Sequence, residues 1–350
     1  MEAQVAHVNL ARGYRGGERQ AELLIRALTR QAIRQVLVAR AGSPLVQRLV
    51  DVDVEVRVGS GNLLAAFAAT RGADIVHSHE GRGVYAAWLR SIVSGTPYII
   101  TRRVNNPIGT GILTRNAYRR ATFVASVAAD IAGIVHRYDP HIRGCVIHSS
   151  SSDLSVDPNT SQSIRGAFQG KWLIGNVGAL DNAQKGQEYI IDVARRLENS
   201  HPQLQFILVG GGEDEAMLRE RAGGLSNVVF TGFVDNVGDY LAAFDLFILP
   251  SNKEGIGGIL LDAMDQALPI IASRVGGLPE IVRDGENGLL IDARSPEQLQ
   301  QAILRLHDDP ELCSSMGARG RQFSTGFTAD VMGEKYLELY RQALAARPGI

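Results

Sequence analysis

Residues 252–280 read NKEGIGGILLDAMDQALPIIASRVGGLPE. Two carboxylates, Glu254 and Asp262, stand eight positions apart with three glycines between them. An apolar strand-like run follows at Pro269 to Ala272, and a second Gly-Gly turn leads to Glu280. Free amides at the start of a helix bind anions, and glycine lets a phosphate come close to them. Carboxylates around such a helix start suit the hydroxyl pairs of a ribose and a hexose on either side of a diphosphate.

Short apolar runs alternate with helix-period segments on both sides of this stretch. Near-continuous apolar strands that alternate with helices are typical of parallel sheets covered on both faces. At 350 residues, 45% of them hydrophobic, the chain is long enough for two such domains. The runs that predict strands are VAHVNL, QVLVA, DVEVRV, DIVHSH, PYIIT, TFVAS and CVIH in the first half, and WLIGNVG, QFILVG, VVFTGF, LFILP, PIIAS and GLLI in the second.

This alternation predicts an α/β protein made of two Rossmann-like domains whose parallel sheets face a central cleft. Ligands of open α/β sheets bind at the carboxyl ends of the strands, so we look for chemistry in the loops after the strands. The polar tract SSSSDLSVDPNTSQS, residues 149–163, marks the boundary between the domains. We expect an N-terminal domain at residues 1–165, a C-terminal domain at 166–328, and a final helix within 329–350 that packs back on the N-terminal domain.

The composition argues against several classes of protein. No window approaches eighteen consecutive apolar residues, so a membrane-spanning helix is not expected. The first residues lead directly into a strand-like run without a signal-peptide pattern. Cys145 and Cys313 are the only cysteines and lie far apart, which fits neither a disulfide framework nor a metal-binding knuckle. These features favour a cytoplasmic protein.

The formal net charge of −1 hides an asymmetry between the two halves. Residues 1–150 hold 19 Arg, no Lys and 10 acidic residues, whereas the remaining 200 residues hold 17 basic and 27 acidic ones. One interpretation is that the N-terminal half meets an anionic partner: a phospholipid surface, a phosphorylated glycan or a nucleotide diphosphate. The other is a solvated surface without a partner. Nucleic acid is not expected, because the arginines are scattered and no interleaved aromatic residues accompany them.

The stretch quoted above resembles the E-x7-E signature of the retaining family 4 glycosyltransferases, which have the GT-B fold. The family pattern joins a serine, a Glu-Gly-x-Gly loop, an acidic helix segment, a Pro-aliphatic strand and a Gly-Gly-x-x-Glu turn. The matching residues here are Ser251, Glu254 to Gly257, Asp262 to Met264, Leu268 to Ile270, Gly276 to Glu280 and Asp284 to Ile291. The resemblance is strong over residues 172–292 and weaker over 1–170.

The resemblance implies a donor site in the C-terminal domain. Glu254 would hold hydroxyl groups of the donor sugar, and Asp262 would hold the ribose of the nucleotide. The family usually has Glu where this chain has Asp262. The shorter side chain keeps the charge, but its ribose contact would be looser or mediated by water. The backbone amides that would meet the diphosphate are those of Gly258, Ile259 and Leu260.

Further motifs of the C-terminal domain would complete this donor site. Lys185, in a segment that looks like the family's Lys-Gly helix start, would place a cation on the donor phosphates and neutralise the leaving group. Ala179 stands where the family often has an arginine, so Lys185 either acts with less help or is assisted by an arginine of the other domain. The backbone of Phe233 and Val234 would contact the nucleobase. GGGED at 210–214 lacks a full G-x-G-x-x-G, so it is weak support for NAD binding.

The N-terminal domain carries weaker motifs. Gly16 and Gly17 resemble the family's glycine pair after the first strand, whose amides approach the diphosphate and the transferred sugar. The segment DIVHSHEGRG places His77 late in a strand and His79 just beyond it. We assign His79, rather than His77, to the family histidine that faces the donor sugar near the reacting carbon.

Three charged motifs of the N-terminal domain leave alternatives open. Arg102 and Arg103 follow the strand PYIIT and either hold an anionic acceptor, replace the missing arginine of the donor site or lie in solvent. The Asp-Val-Asp at 51–53 lies in an alternating run that we interpret as the exposed face of a strand, so we predict no metal site. Contact with anionic lipid is weakly indicated, without a strong apolar face, by Arg115, Arg119 and Arg120.

The resemblance as a whole implies a retaining, metal-independent glycosyltransferase. It would move a sugar from a nucleotide-diphosphate donor, with UDP favoured by its prevalence in the family, to a hydroxyl of a glycan or lipid-linked glycan. Polysaccharide or lipopolysaccharide synthesis is the expected setting, in the cytoplasm or peripherally on the inner face of its membrane. The expected catalytic residues are His79, Lys185 and Glu254, with no cofactor.

Two alternatives to the transferase remain open. A non-catalytic homologue that binds sugar nucleotides is favoured by Asp262, Ala179 and the serine tract, where relatives often show a different turn. A nucleotide-sugar epimerase would share the two-domain fold and release an altered sugar without an acceptor.

Overall fold

The apolar runs form strands in both halves of the chain. In the computed structural model, which describes residues 3–59 and 62–346, the first half contains β1 (Gln4–Asn9), β2 (Arg34–Ala39), β3 (Glu55–Val58), β4 (Ile75–Ser78), β5 (Tyr98–Arg102), β6 (Phe123–Ser126) and β7 (Gly144–Val146). The second half contains β8 (Trp172–Val177), β9 (Leu204–Val209), β10 (Val228–Gly232), β11 (Leu246–Leu249), β12 (Ile270–Ser273) and β13 (Leu289–Ile291). Each predicted run coincides with one of these strands.

Each half forms its own parallel sheet, with strand order β3-β2-β1-β4-β5-β6-β7 in the first and β10-β9-β8-β11-β12-β13 in the second. The predicted class, α/β with two Rossmann-like parallel sheets, is therefore confirmed. The strand order reverses between β1 and β4 and again between β8 and β11. Ligands bind beyond the carboxyl ends of the strands at such reversals. The loops after these four strands are the candidate sites.

Helices connect the strands in both halves of the chain. The first half has α1 (Gly16–Arg30), α2 (Pro44–Gln47), α3 (Leu63–Ala69), α4 (Gly83–Ser94), α5 (Ile112–Arg120) and α6 (Ala129–Tyr138). The rest has α7 (Pro158–Gly166), α8 (Asn182–Lys185), α9 (Gln187–Leu197), α10 (Glu215–Arg221), α11 (Val237–Ala243), α12 (Gly258–Asp265), α13 (Leu278–Ile281), α14 (Pro296–Asp308), α15 (Pro310–Ser324), a 3₁₀ turn (Thr325–Phe327) and α16 (Ala329–Ala345). Over the two described ranges, no helix combines the length and the apolar character needed to cross a membrane.

The starts of the last three α-helices are visible in the sequence as capping residues. The side chain of Ser295 accepts a hydrogen bond from the third residue beyond it, and Asp309 and Thr328 do the same for their helices. Each bond satisfies an amide that the helix itself leaves without a partner. Proline follows Ser295 and Asp309 directly, at the first helical position where its missing N–H costs nothing.

The chain divides into two units. The first takes in Met1–Ser150 and Thr328–Ile350, and the second takes in Ser151–Phe327. The final segment that we predicted as a helix, 329–350, is described through residue 346, and residues 347–350 lie outside the described part. Each unit contains one of the two sheets.

Residues 151–165, which we expected in the first domain, lie with the second unit. Helix α7 packs on α11 of that unit. The amide of Asp157 donates to Asp239 Oδ1 at 2.7 Å, and Arg165 pairs with Asp245 at 2.5 Å. These polar contacts are encoded by side chains far along the chain, so the local composition of the serine tract could not reveal them.

The last helix, α16, packs on α1 in the first unit. Its two buried tyrosines reach polar side chains of the sheet. Tyr340 Oη lies 2.6 Å from His77 Nδ1, and Tyr336 Oη lies 2.7 Å from Thr101 Oγ1. Thr101 Oγ1 in turn lies 2.6 Å from His77 Nε2. Buried polar atoms need such partners, so these contacts fix how the helix seats on the sheet.

The Asp-Val-Asp motif differs from our interpretation. Strand β3 begins at Glu55, so Asp51 and Asp53 lie in the turn before it rather than on the exposed face of a strand. The carboxylate of Asp51 accepts two hydrogen bonds from the guanidinium of Arg26 in α1. Through Asp51, the motif therefore links the turn before β3 to helix α1.

Replacing Tyr340 by Phe should destabilise the first unit. The change keeps the ring but removes the hydroxyl, which leaves the buried Nδ1 of His77 without its partner. We expect a loss of about 1–3 kcal/mol in the free energy of unfolding, measured by urea denaturation. Lys335→Ala, at an exposed position of the same helix, should change it by less than about 0.5 kcal/mol. Equal effects of the two substitutions would contradict this account.

Candidate functional site

In the second unit, the residues predicted to handle the donor meet beyond strands β8 and β11. Lys185 Nζ lies 2.5 Å from Glu254 Oε2. The two side chains are only 22% and 14% exposed. Ser251 Oγ lies 3.4 Å from the same carboxylate oxygen. A partly buried ion pair therefore occupies the place where the strand order reverses.

Backbone contacts hold these two residues together. The amides of Asn252 and Lys253 donate to the carbonyl of Gln184 at 2.7 and 3.1 Å, which joins the loop after β11 to α8. Gly186 follows with a φ of +65°, and a Cβ there would lie 2.5 Å from the carbonyl oxygen of Pro250. Only glycine fits this approach. The Lys-Gly sequence thus serves to bring Lys185 against the Glu254 loop.

The second Gly-Gly turn supports the same loop. Gly276 has a φ of +52°, and a Cβ there would lie 1.9 Å from the carbonyl oxygen of Glu254. The amide of Gly277 donates to the carbonyl of Gly255 at 2.9 Å. The two glycine turns of residues 252–280 are therefore one construction, in which the turn after β12 presses directly on the backbone that carries Glu254.

Helix α12 starts beside this ion pair. Gly257 occupies its N-cap position and, as a glycine, supplies no side-chain cap. The first amides of an α-helix lack partners within the helix and carry the positive end of its dipole. The residues predicted to meet a diphosphate with their amides, Gly258 to Leu260, form this first turn, in which the Leu260 amide already donates to the Gly257 carbonyl at 2.8 Å.

Asp262 lies in the same helix but is buried. Its side chain is 6% exposed, and Oδ1 accepts a hydrogen bond from the amide of Ser152 at 2.5 Å. This contact could not be predicted from sequence, because residues 152 and 262 are far apart in the chain. Asp262 thus fastens the start of the second unit to α12.

The predicted base-binding segment lies after β10. Phe233 is 79% exposed, while Val234 is half-buried. Gly232 and Gly210 form an isolated bridge, in which the Gly210 amide donates to the Gly232 carbonyl at 2.9 Å. This bridge places the end of β10, and with it Phe233, beside the loop after β9.

In the first unit, three predicted residues come together at the carboxyl ends of β1, β4 and β5. Arg103 Nη1 donates to the backbone carbonyl of His79 at 3.1 Å, and Nη2 lies 3.4 Å from His79 Nδ1. The aliphatic stem of Arg103 lies beside Gly17, where a Cβ would be 3.7 Å from it. Arg102 points elsewhere, since its guanidinium contacts Tyr118 and the carbonyl of Asn106.

The ring of His79 does not stand alone. Its Nε2 lies 2.9 Å from Nδ1 of His7 in β1, and the ring of His77 lies 4.0 Å away between centroids. His7 Nε2 in turn lies 3.0 Å from Gln35 Oε1 in β2. Sequence analysis missed His7 and Gln35, although polar residues inside the apolar runs VAHVNL and QVLVA were a signal that these positions serve a special purpose.

His7, His77 and His79 are the one group of three potential metal ligands found within the described residues, with ligand atoms all within 4.8 Å of one another. Each of these rings has both nitrogens next to a hydrogen-bond partner, which is a histidine, Gln35, Thr101, Tyr340 or Arg103. A metal ion would have to displace several of these bonds and sit near a guanidinium. The arrangement fits a hydrogen-bonded network better than a metal centre.

Burial keeps these histidines neutral. It lowers the pKa of His7 to about 4, against the effect of the hydrogen bond to Gln35. It also lowers the pKa of His77 and of His79 well below 6.5, with the neighbouring histidines and Arg103 adding to the effect. All three rings are therefore uncharged at neutral pH, and Arg103 is the cation of this cluster.

Part of the chain is similar in sequence to known glycosyltransferases. The family model described as glycosyl transferases group 1 matches residues 171–309, which contain Lys185, Glu254 and Asp262. An uncharacterised glycosyltransferase of Methanocaldococcus jannaschii is 27% identical over 280 residues, covering 75% of this chain and 74% of that protein. The alpha-maltose-1-phosphate synthase of Mycolicibacterium smegmatis is 27% identical over 313 residues, covering 78% of this chain and 80% of that protein.

The fold is shared with a solved structure. HepE of Anabaena, crystallised with UDP and glucose, superposes with a TM-score of 0.85 at 17% identity, covering 97% of this chain and 100% of that one. These matches support a glycosyltransferase of GT-B fold. The family match itself lies within the second unit, at residues 171–309, where the predicted donor residues Lys185 and Glu254 lie.

The stability of the glycosyltransferase should fall as the pH drops below about 6.5. The folded state keeps His7, His77 and His79 neutral, whereas the unfolded chain takes up protons below pH 6.5, so acid favours unfolding. His7 alone contributes about 1.4 kcal/mol per pH unit between pH 6.5 and about 4. Urea denaturation at several pH values should show this slope.

Two substitutions test the origin of that slope. His7→Gln should reduce the pH slope of the free energy of unfolding by the contribution of about one proton. His136→Gln, at an exposed position, should leave that slope unchanged. A slope that is the same in all three proteins would show that the buried histidines do not cause it.

Gly276→Ala should damage the donor loop. The new Cβ would meet the carbonyl oxygen of Glu254 and force an unfavourable φ, so we expect a loss of about 2–4 kcal/mol in the free energy of unfolding. Gly285→Ala is the matched control, because Gly285 also has a positive φ (+78°) but open space at the Cβ position. Its cost should be about 1 kcal/mol. Equal costs would rule out the close contact with Glu254 as the cause.

Proposed function

We propose that this glycosyltransferase transfers a sugar from a nucleotide-diphosphate donor to a hydroxyl group, with retention at the anomeric carbon. The observation that carries the proposal is the Lys185–Glu254 ion pair beside the uncapped start of α12. It combines a cation and the amides of a helix start, which suit a diphosphate, with a carboxylate, which suits sugar hydroxyls.

The donor would rearrange this ion pair. A diphosphate at the amides of Gly258 to Leu260 competes with Glu254 for the ammonium of Lys185. Transfer of that ammonium to the phosphates would release the carboxylate to accept hydrogen bonds from the donor sugar. One binding event would thus prepare both the phosphate contact and the sugar contact.

Catalysis would rest on stabilising the departing diphosphate. Negative charge grows on the phosphate oxygens as the glycosidic bond breaks, and Lys185 with the α12 amides would neutralise it. The acceptor hydroxyl would attack from the same face, with the leaving phosphate taking its proton. Because the protein supplies this positive charge itself, we propose that the reaction does not require a metal ion.

We propose UDP as the nucleotide of the donor. HepE, which shares the fold at 17% identity, was crystallised with UDP and glucose. The exposed ring of Phe233 and the neighbouring backbone of Val234 would lie against the base. Backbone contacts of this kind read the base edge through hydrogen bonds, so the choice of nucleobase would depend on only a few groups.

We assign the acceptor to the first unit. Its residues 1–150 hold 19 Arg against 10 acidic residues, which favours an anionic glycan or a glycan carried on a lipid phosphate. His79 and Arg103, near Gly16 and Gly17, would face the reacting groups. Work at the inner face of the cytoplasmic membrane would suit such an acceptor, with the basic end of α5 close to anionic lipid.

A non-catalytic sugar-nucleotide-binding protein is the second candidate, and the contact of Asp262 favours it. The carboxylate expected to hold the ribose is 6% exposed and is engaged by the Ser152 amide. If that bond keeps Asp262 from the ribose, nucleotide affinity would be low and turnover slow.

The first experiment is a thermal unfolding series with UDP, GDP, ADP and UMP. A ligand at about 100 times its Kd stabilises the folded state by about 2.7 kcal/mol, which raises Tm by on the order of 5 °C. We expect this shift with UDP and its loss in Lys185→Ala. Lys171→Ala should retain it, because Lys171 binds the carbonyl of Pro202.

The outcomes separate the two candidates. A shift with one diphosphate, followed by consumption of the matching sugar nucleotide, would support the transferase. A shift without turnover would favour the binding protein. No shift with any of the four nucleotides would overturn both proposals for this site.

A further inference from the structure

A chain of hydrogen bonds runs through the first unit from Gln35 through His7 and His79 to Arg103. The contacts of Gln35 determine which atom donates and which accepts in each of these bonds. Gln35 Nε2 lies 3.1 Å from the carbonyl of Ile25 and 2.8 Å from Thr29 Oγ1. A carbonyl only accepts, so the amide nitrogen must face it. The amide oxygen of Gln35 therefore faces His7, and His7 Nε2 must donate to it at 3.0 Å.

The proton on His7 decides the proton on His79. Both rings are neutral at pH 7, since burial lowers the pKa of each, so each ring carries one proton. The proton of His7 is on Nε2, which makes its Nδ1 an acceptor. His79 Nε2, 2.9 Å away, must then donate to it.

The remaining nitrogen of His79 is left as an acceptor. Its Nδ1 lies 3.4 Å from Arg103 Nη2, which carries only donor hydrogens. The backbone carbonyl of His79 accepts from Arg103 Nη1 at 3.1 Å. His79 thus holds the guanidinium at two points, and the opposite tautomer would place an N–H against it.

Arg103 is a cation without an acidic partner. It forms no ion pair within the described part of the chain, and its buried Nε has no hydrogen-bond partner there. Burial lowers the pKa of Arg103, and the acid that partly opposes this is Glu18, whose carboxylate accepts a hydrogen bond from the Arg15 amide at 3.0 Å. The stem of Arg103 lies along Gly17, at the glycine-rich start of α1.

We propose that Gln35 and His7 are positioning residues that set the tautomer of His79, so that His79 holds Arg103 ready to bind an anionic group of the substrate. That group is a phosphate, either of the nucleotide donor or of a phosphorylated acceptor. The part that concerns the substrate rests on the proposed function. The effect of Gln35 and His7 on the tautomer of His79, which we call the relay, does not rest on the proposed function, because it follows from contacts inside the first unit.

The relay is tested directly by NMR on the full chain with ¹⁵N-labelled histidine. Long-range ¹H–¹⁵N spectra distinguish the two tautomers of each ring. We expect His7 and His79 both to carry their proton on Nε2 at pH 7.5. A proton on Nδ1 of His79 would overturn the proposal.

Gln35→Glu should reverse the relay with little change in volume. A carboxylate next to His7 favours its doubly protonated form, whose Nδ1 then donates. His79 Nε2 becomes the acceptor, and its proton moves to Nδ1, facing Arg103. Gln205→Glu is the matched control, because Gln205 is an equally buried glutamine (4% exposed, as is Gln35) in the sheet of the second unit. An unchanged His79 tautomer in Gln35→Glu would overturn the relay.

Ligand binding at Arg103 is followed through the same His79 signal, with UDP and glycerol 3-phosphate as probes. A shift with UDP identifies a donor phosphate, and a shift with glycerol 3-phosphate alone identifies a phosphorylated acceptor. Either shift supports the proposal if Arg103→Gln abolishes it. We expect Gln35→Glu to weaken binding about 10-fold and Gln205→Glu to leave it within about 2-fold, since a hydrogen bond to a charged group is lost only in the first.

Failure of this inference is distinguishable from failure of the proposed function. If neither probe shifts the His79 signal, Arg103 does not bind the substrate anion, and the inference is overturned. The thermal shift with UDP and its loss in Lys185→Ala concern the second unit and stand or fall independently of that result.

Discussion

Close approach of one backbone to another is the constraint on which the donor site depends. Lys185 and Glu254 come from loops after different strands, and they meet at 2.5 Å because Gly186 lets those loops touch, while Gly276 lets the turn after β12 press on the Glu254 loop. A Cβ at either glycine would lie within 2.5 Å of a carbonyl oxygen. The ion pair is therefore a consequence of backbone packing, and the glycines explain why acids and glycines recur together between residues 252 and 280.

The two units handle charge in different ways. In the second unit, a cation and a carboxylate neutralise each other next to the start of helix α12. In the first unit, three neutral histidines lie beneath a guanidinium that has no carboxylate partner within the described residues. A neutral acceptor holds a cation in place without cancelling its charge. A ligand of the second unit would have to separate the ion pair before either charge could bind it. The guanidinium of the first unit keeps its positive charge without a ligand, which suits a site that attracts an anion.

Much of the fold was predictable because it depends on local patterns. Apolar runs gave all the strands, and capping residues such as Ser295 marked where helices begin. The sequence motifs assigned Lys185 and Glu254 to one site, so their proximity was predictable. The contact of Asp262 with Ser152 and the relay from Gln35 to His79 were not predictable, because each joins residues that are distant in sequence. Alternation of apolar residues indicates burial, but it does not say which buried polar atoms become partners.

Asp262 has a side chain one methylene shorter than the Glu usual in the family, and this difference affects which groups its carboxylate can contact. The family usually has Glu there, and the shorter Asp262 accepts a hydrogen bond from the Ser152 amide instead of reaching further out. An ionised carboxylate offers about four lone-pair sites, so one bond to an amide does not by itself prevent a second bond to a ribose hydroxyl. Burial, rather than the amide, would then be the obstacle to the proposed ribose contact, because the side chain is only 6% exposed. Under the proposed function, the shorter side chain would affect how closely the nucleotide approaches α12, and only through that whether the sugar is transferred.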